Sequence, residues 1–184
     1  MLGSGWISGK SFFGEYPYHF RYRSQAKAEG AHRHARIARV NTYDISTDPS
    51  RLQLDAIHAY LTRSYWSPGV PKAVVARGIA NSMCFGIYLG DAQVGFARVI
   101  TDMATFAYLA DVYVLEAHRG QGLSKRLVAQ ILGHPELQGL RRTLLATADA
   151  HGLYAQFGFK PLAKPDNMME IRDPDPYGFA RAKG

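Results

Sequence analysis

Asp111-Val-Tyr-Val-Leu-Glu-Ala-His-Arg-Gly-Gln-Gly-Leu-Ser124 decides how the rest of the chain is read. A β-rich run ends at Leu115, a loop with two glycines follows, and Leu123, Leu127, Val128, Ile131 and Leu132 then recur at helical spacing. A strand therefore feeds a helix through a glycine loop. The first N–H groups of a helix have no carbonyl partner inside it, and the helix dipole adds partial positive charge there. Such an end attracts an anion, typically phosphate. Gly120 and Gly122 remove side chains that would hold a ligand off the backbone, and Arg119 and Lys125 add positive charge nearby. The loop reads as a diphosphate site. A Rossmann fingerprint would need a third glycine where Lys125 stands, and the Walker pattern is missing. An ordinary tight turn is the alternative when these residues are taken alone.

Upstream of the loop, Met83–Leu89, 93–100 and 105–115 read as three strands with short connections, an antiparallel meander. Tyr43–Ser46 reads as a short strand. Asp48 and Pro49 look like the N-cap and first residue of a helix that runs to about Thr62. A second helix covers 71–81. Downstream, Gly133 and Pro135 stop the helix after the loop, and 142–146 reads as a buried strand. Asp149 then caps a short helix through Phe157, and two last strands are expected at 159–162 and 167–171. The final strand–helix–strand step predicts a parallel, right-handed crossover. The fold class is α/β (α+β): a mixed, mostly antiparallel sheet of six to seven strands with helices on both faces.

The 184 residues are 47% hydrophobic and 20% charged, which suits one globular domain. No run of about 18 apolar residues exists, so no membrane partner is expected. One cysteine rules out an intramolecular disulfide and suits a reducing compartment. The first residues lack the charged-then-apolar pattern of a secretory leader, so the expected location is cytoplasmic. Seven of the 22 basic residues but only two of the 15 acidic ones lie in 1–41, so most of the net charge of +7 sits on this arm. The arm reads as a basic, aromatic-containing extension, weakly ordered or docked; residues 42–172 form the domain, and 173–184 a polar tail.

A second segment, Leu144-Leu-Ala-Thr-Ala-Asp-Ala-His-Gly-Leu-Tyr-Ala-Gln-Phe-Gly-Phe159, follows the crossover. Its strand should lie beside the 105–115 strand, with Tyr154 facing the gap between them. A phenol there can donate a proton to a leaving group, or serve as a core tyrosine. Asp111 is the one charge in its apolar run, so it needs a partner or a shifted pKa. Cys84 alternates within a strand and reads as inert core. His32-Arg33-His34 is too short for a metal site, and no metal is expected.

Together, Arg119-Gly-Gln-Gly122-Leu-Ser124 and Tyr154-Ala-Gln-Phe-Gly158-Phe159 resemble the two signature blocks of the GNAT superfamily of N-acetyltransferases. The resemblance covers about 42–172 and implies an acyl-CoA transferase fold with acetyl-coenzyme A as co-substrate. It implies that the backbone of Arg119, Gly120, Gln121, Gly122, Leu123 and Ser124 holds the pyrophosphate. The backbone of Val112, Tyr113 and Val114 would pair with the pantetheine arm, and an N–H near Val114 would polarise the thioester carbonyl. Thr147 and Asp149 stand where many members place an asparagine that binds pantetheine. Tyr154 would protonate the departing thiolate. An alkylamine with pKa near ~10.4 is mostly protonated at neutral pH, so a base is needed. Asp111 is the leading candidate, with an ion pair as its alternative; Glu116 and His118 are further candidates, and His151 carries little weight. Tyr65 and Trp66 fall in the loop that shapes the family's acceptor pocket.

The expected function is transfer of acetyl from the thioester to a primary amine of a small molecule. Two other readings stand beside it. The arm's aromatics and arginines suit a nucleic acid, though nucleic acid is the less favoured partner. A GNAT-like domain that binds acyl-CoA without turnover is the third. A homodimer is left open.

Overall fold

The computed structural model describes residues 42–178, all within the unit Arg39–Gly184. The basic arm, on which the nucleic-acid reading rests, lies outside the described residues. The strands are β1 Tyr43–Ser46, β2 Met83–Leu89, β3 Ala92–Thr101, β4 Phe106–Val114 and β5 Arg142–Leu145. The helices are α1 Leu54–Leu61, α2 Lys72–Ala80, α3 Leu123–Leu132 and α4 His151–Ala155. The strands lie in the order β1-β2-β3-β4-β5. The first three pairings are antiparallel and β4–β5 is parallel, as the crossover through α3 requires.

Alternation along the strands gives the sheet two apolar faces. One packs Phe85, Ile87, Ala97, Leu109 and Val114 against Leu127, Val128 and Ile131 of α3 and Tyr154 of α4. The other packs Phe96 and Tyr113 against Ile57 and Leu61 of α1 and Val75 of α2. Leu127 and Val128 are wholly buried. Truncating Leu127 to alanine would cost about 2–5 kcal/mol.

Three local expectations are corrected. Asp48 does accept the Ser50 N–H at 2.9 Å, but it caps a separate 3-10 turn, Pro49–Arg51, and α1 starts later behind Gln53. Asp149 does not cap α4: Ala150 precedes the helix, and Thr147 Oγ1 accepts the Ala150 N–H at 3.0 Å. Among the described residues the sheet has five strands, not six to seven, because neither 159–162 nor 167–171 forms a strand. Pro161 and Pro165 remove donors from that stretch. Met169 and Ile171, at 97% and 106% exposed, have no layer to bury them.

Two irregularities in β4 shape the site. The register shifts between Phe96↔Tyr113 and Arg98↔Ala110, which leaves one extra residue in β4. Asp111 sits in this bulge with φ of +56°, a left-handed conformation uncommon outside glycine. Pairing with β5 then runs only from Phe106↔Arg142 to Leu109↔Leu145. Beyond Leu109 the two parallel strands part.

Candidate active site

The parting of β4 and β5 opens a cavity of about 480 Å³. Ala110, Asp111 and Val112 line one side, 146–150 line the other, and Tyr154 reaches in from α4. Tyr65, Trp66, Arg98, Ile100, Tyr108 and Leu109 complete its walls. The cleft joins the two faces of the sheet: Tyr154 belongs to the α3/α4 layer, and Trp66 to the loop between α1 and α2.

The glycine loop stands at the N-terminus of α3. Gly120 and Gly122 have φ of +76° and +73°, and Gly122 occupies the N-cap position. A β-carbon at either would meet nothing within 4 Å, so both open onto free space. The Arg126 N–H donates to the Gly122 carbonyl at 3.1 Å. Before it, the N–H groups of residues 120–125 find no acceptor among the described residues. Orphan donors at a helix start are the physical basis of an anion site.

Neighbouring side chains brace this loop. Arg119 Nε donates to the Val114 carbonyl at 3.0 Å, and its Nη2 reaches the Tyr60 hydroxyl at 3.3 Å. Gln121 Nε2 donates to the Tyr43 hydroxyl at 3.0 Å, which also bonds His118 Nδ1 at 2.9 Å. Leu123 anchors α3 by burial, and the part-buried Ser124 follows it in the first turn. Glu116 is exposed, and neither it nor His118 lines the cavity.

Along β4, the Leu115 N–H donates to Val94 O at 2.8 Å, so Leu115 faces β3. By strand alternation Val114 turns its own N–H and C=O the other way, to the cleft edge, and Tyr113 turns back to β3. Val112 lines the cavity directly. The Tyr113 ring is buried on the α1/α2 face, stacked on Tyr60 with centroids 3.7 Å apart. The structure thus puts Val112 and Val114, but not the Tyr113 backbone, on the edge facing the cleft.

Tyr154 is 8% exposed and packs edge-on against Phe159. Burial is the main cause that raises its phenol pKa, and the charges of Tyr65 and Asp149 add to it. Its hydroxyl makes no hydrogen bond to another described residue. A protonated phenol facing a cavity can donate to a developing anion.

Asp111 is the partner of an ion pair. Its Oδ2 accepts from Arg98 Nε at 2.8 Å, and its Oδ1 accepts a longer bond from Trp66 Nε1 at 3.3 Å. The two side chains of the pair are 20% and 11% exposed. Arg98 Nη1 also donates to Ser82 Oγ at 3.1 Å. Tyr65 spans the cleft mouth, where its hydroxyl accepts the Ala148 N–H at 3.3 Å. Thr147 and Asp149 line the cavity rim, with the Thr147 hydroxyl turned to its own backbone. Cys84 is buried, and desolvation raises its thiol to about 11, so it is inert core.

The sequence reading missed Arg98, Ile100 and Tyr108. Arg98 left a signal: it is the only charge in 93–100, one strand away from the only charge in 105–115. Opposite lone charges in consecutive antiparallel strands ask to be paired.

Comparison with known proteins identifies the family and the fold. Residues 80–161 match the model of the acetyltransferase (GNAT) domain. A Gibberella zeae protein, named as a candidate acetyltransferase, is 37% identical over 153 residues, 70% of this chain and 85% of that one. A crystal structure of a GNAT-family protein from Xanthomonas campestris pv. campestris superposes with a TM-score of 0.72 at 50% identity, covering 74% of this chain and 96% of that one. A candidate acetyltransferase from Clostridium acetobutylicum, solved with acetyl-CoA, shares the fold at 12% identity and a TM-score of 0.54, covering 71% of this chain and 95% of that one.

Proposed function

The chain belongs to the GNAT family of acetyltransferases, and on that premise we propose that it moves an acetyl group from acetyl-coenzyme A directly to the nitrogen of a small primary amine. One observation carries the reading. The orphan N–H groups of residues 120–125 stand at the start of α3, in the loop that leaves β4, and β4 itself lines a cleft that the buried Tyr154 phenol enters. The Clostridium relative crystallised with acetyl-CoA supports the choice of donor.

In this reading the backbone of 119–124 takes the diphosphate, with Arg119 and Gln121 bracing the loop from β4 and β1. Val112 and Val114 offer the pantetheine arm a strand edge, and Thr147 and Asp149 flank it from the β5 side. The Val114 N–H points to the cleft and stabilises the oxyanion. The amine enters from the α1/α2 face past Tyr65 and Trp66, and Asp111 accepts a hydrogen bond from it. Tyr154 gives its proton to the departing thiolate, and burial keeps that proton in place until then.

Binding tests the donor and turnover tests the reaction. Acetyl-CoA should raise the melting temperature in a saturable way and give a single-site calorimetric isotherm. Adding an acceptable amine should release free coenzyme A thiol. Absence of any binding at millimolar acetyl-CoA would remove the reading.

A further inference from the structure

We propose that the acceptor selected by this cleft is a weakly basic arylamine, uncharged at neutral pH, in preference to an alkylammonium. The inference rests on the donor reading above and names the acceptor class for the same site.

The acceptor side of the cavity is rich in aromatic side chains. Trp66 stands edge-on to Tyr65 with centroids 4.9 Å apart, and Tyr108 and the 42%-exposed Ile100 continue the wall. Such surfaces suit an aromatic ring. The charge set into this wall, Asp111, is already balanced by Arg98 at 2.8 Å. A cation that approaches Asp111 meets the guanidinium too, so the wall offers it little net attraction.

The proton inventory points the same way. The ionisable groups lining the cavity are Tyr65, Arg98, Tyr108, Asp111, Asp149 and Tyr154. No imidazole lines it among the described residues: His118 is bonded to Tyr43, and His151 lines a different cavity. Arginine has no acceptor. Tyr154 is held protonated by burial, as are Cys84 and Tyr113, the two buried groups that interact electrostatically with Asp111. Tyr177 faces the pair from the small cavity behind it. Besides the phenols, that leaves two carboxylates, Asp111, which already accepts from Arg98 and Trp66, and Asp149 on the β5 rim, and a carboxylate is a far weaker base than an alkylamine.

An alkylamine with pKa near ~10.4 leaves only about one molecule in a thousand neutral at pH ~7.4. No described group in the cavity is suited to strip that proton. An arylamine arrives with its lone pair free. Its nitrogen bonds to the thioester carbon, and the carbonyl π pair moves to oxygen beside the Val114 N–H. The nitrogen of this intermediate is strongly acidic, so even Asp111 can take its proton. The C–S bond then breaks, Tyr154 protonates sulfur, and the proton on Asp111 returns to the phenolate through water. The nitrogen has lost one proton and the sulfur has gained one.

Para-toluidine and benzylamine are isomers that differ in whether nitrogen sits on the ring, and they make the test. The full chain is given saturating acetyl-CoA, and kcat/KM is followed by thiol release from about pH 6 to about pH 9, with acetyl-CoA binding measured separately. At neutral pH para-toluidine should exceed benzylamine by about 100-fold or more. Its rate should be flat in pH, while that of benzylamine rises about tenfold per unit toward the amine's own pKa. Equal or faster benzylamine turnover, with one limb near neutrality shared by both amines, would reveal an enzyme base and overturn the proposal. Binding of acetyl-CoA with turnover of neither isomer overturns it while the donor reading stands. Failure of acetyl-CoA to bind takes both down.

Discussion

Gly122 allows the anion site to be separated from the stability of the helix it opens. Two substitutions, Gly122→Ala and Gly122→Glu, place a β-carbon at φ of +73°, where it meets nothing within 4 Å. The penalty is therefore backbone strain alone, about 1–2 kcal/mol. For a chain of this size that lowers the melting temperature by roughly 2–8 °C. The glutamate variant should recover part of it, because an anion at a helix N-terminus is worth about 0.3–1 kcal/mol. Coenzyme binding should move the opposite way. A carboxylate about 5 Å from one diphosphate charge is repelled by about 3 kcal/mol at an effective dielectric of ~20. Screening at the open loop reduces this, and a loss of at least about tenfold remains. Calorimetric titration with acetyl-CoA beside thermal melts should show alanine as the weaker fold and glutamate as the weaker binder. If glutamate binds acetyl-CoA as tightly as alanine does, the diphosphate does not sit on residues 120–125.

Tyr154→Phe should lower kcat by about 10²-fold, the low end of general-acid effects, and leave acetyl-CoA affinity and the melting temperature nearly unchanged. Steady-state rates with matched binding isotherms check this. The Asp102 carboxylate, with pKa lowered chiefly by its bond from the Thr105 side chain, also accepts the N–H groups of Ala104, Thr105 and Phe106. A lowered folded pKa adds stability above the unfolded value, near ~3.9, and loses it as pH falls toward the folded one. Asp102→Ala should therefore lower the melting temperature at neutral pH, and the gap from wild type should close as pH falls below about 4. Cys84, the chain's one cysteine, is buried with its thiol raised to about 11. A colorimetric thiol reagent at neutral pH should see no thiol in the native protein and one after unfolding in denaturant.

The parts legible in the sequence were those written in local periodicity. The meander, the α3 stripe and the parallel step to β5 each follow from spacing within a dozen residues, and the glycine loop follows from its position between two such runs. The misreadings came where local signal and tertiary packing part. Asp48-Pro49 is a genuine capping signal, spent on a 3-10 turn, because Gln53 restarts the chain: its N–H donates to Gln93 Oε1 at 2.7 Å. The apolar residues Met168, Met169 and Ile171 alternate with polar ones or stand in pairs, yet no sheet edge meets them among the described residues. Tyr113 shares a motif with Val112 and Val114, while its position relative to the bulge sets which way its backbone turns.

That bulge ties the fold to the chemistry. An extra residue in β4 raises the local twist, and the added twist turns β4 away from β5 just beyond Leu109, where their pairing ends. The same residue, Asp111, is set in a left-handed conformation that aims its carboxylate at Arg98 on β3 and Trp66 on the α1–α2 loop. Strain in β4 is thus held by bonds to two other elements, which is how a non-glycine residue persists in that region. Breaking the pair should be felt twice. Arg98→Ala leaves a nearly buried carboxylate unpaired, which destabilises by about 3 kcal/mol or somewhat less at this exposure. It also frees the bulge to relax, so that Val112 and Val114 lose their fixed edge. Arg98→Lys keeps the charge but not the Nε bond. It should restore much of the stability and little of kcat, because orientation at the cleft depends on that bond. If Arg98→Lys recovers activity in proportion to stability, the pair only holds the fold, and the geometry of the cleft is set elsewhere.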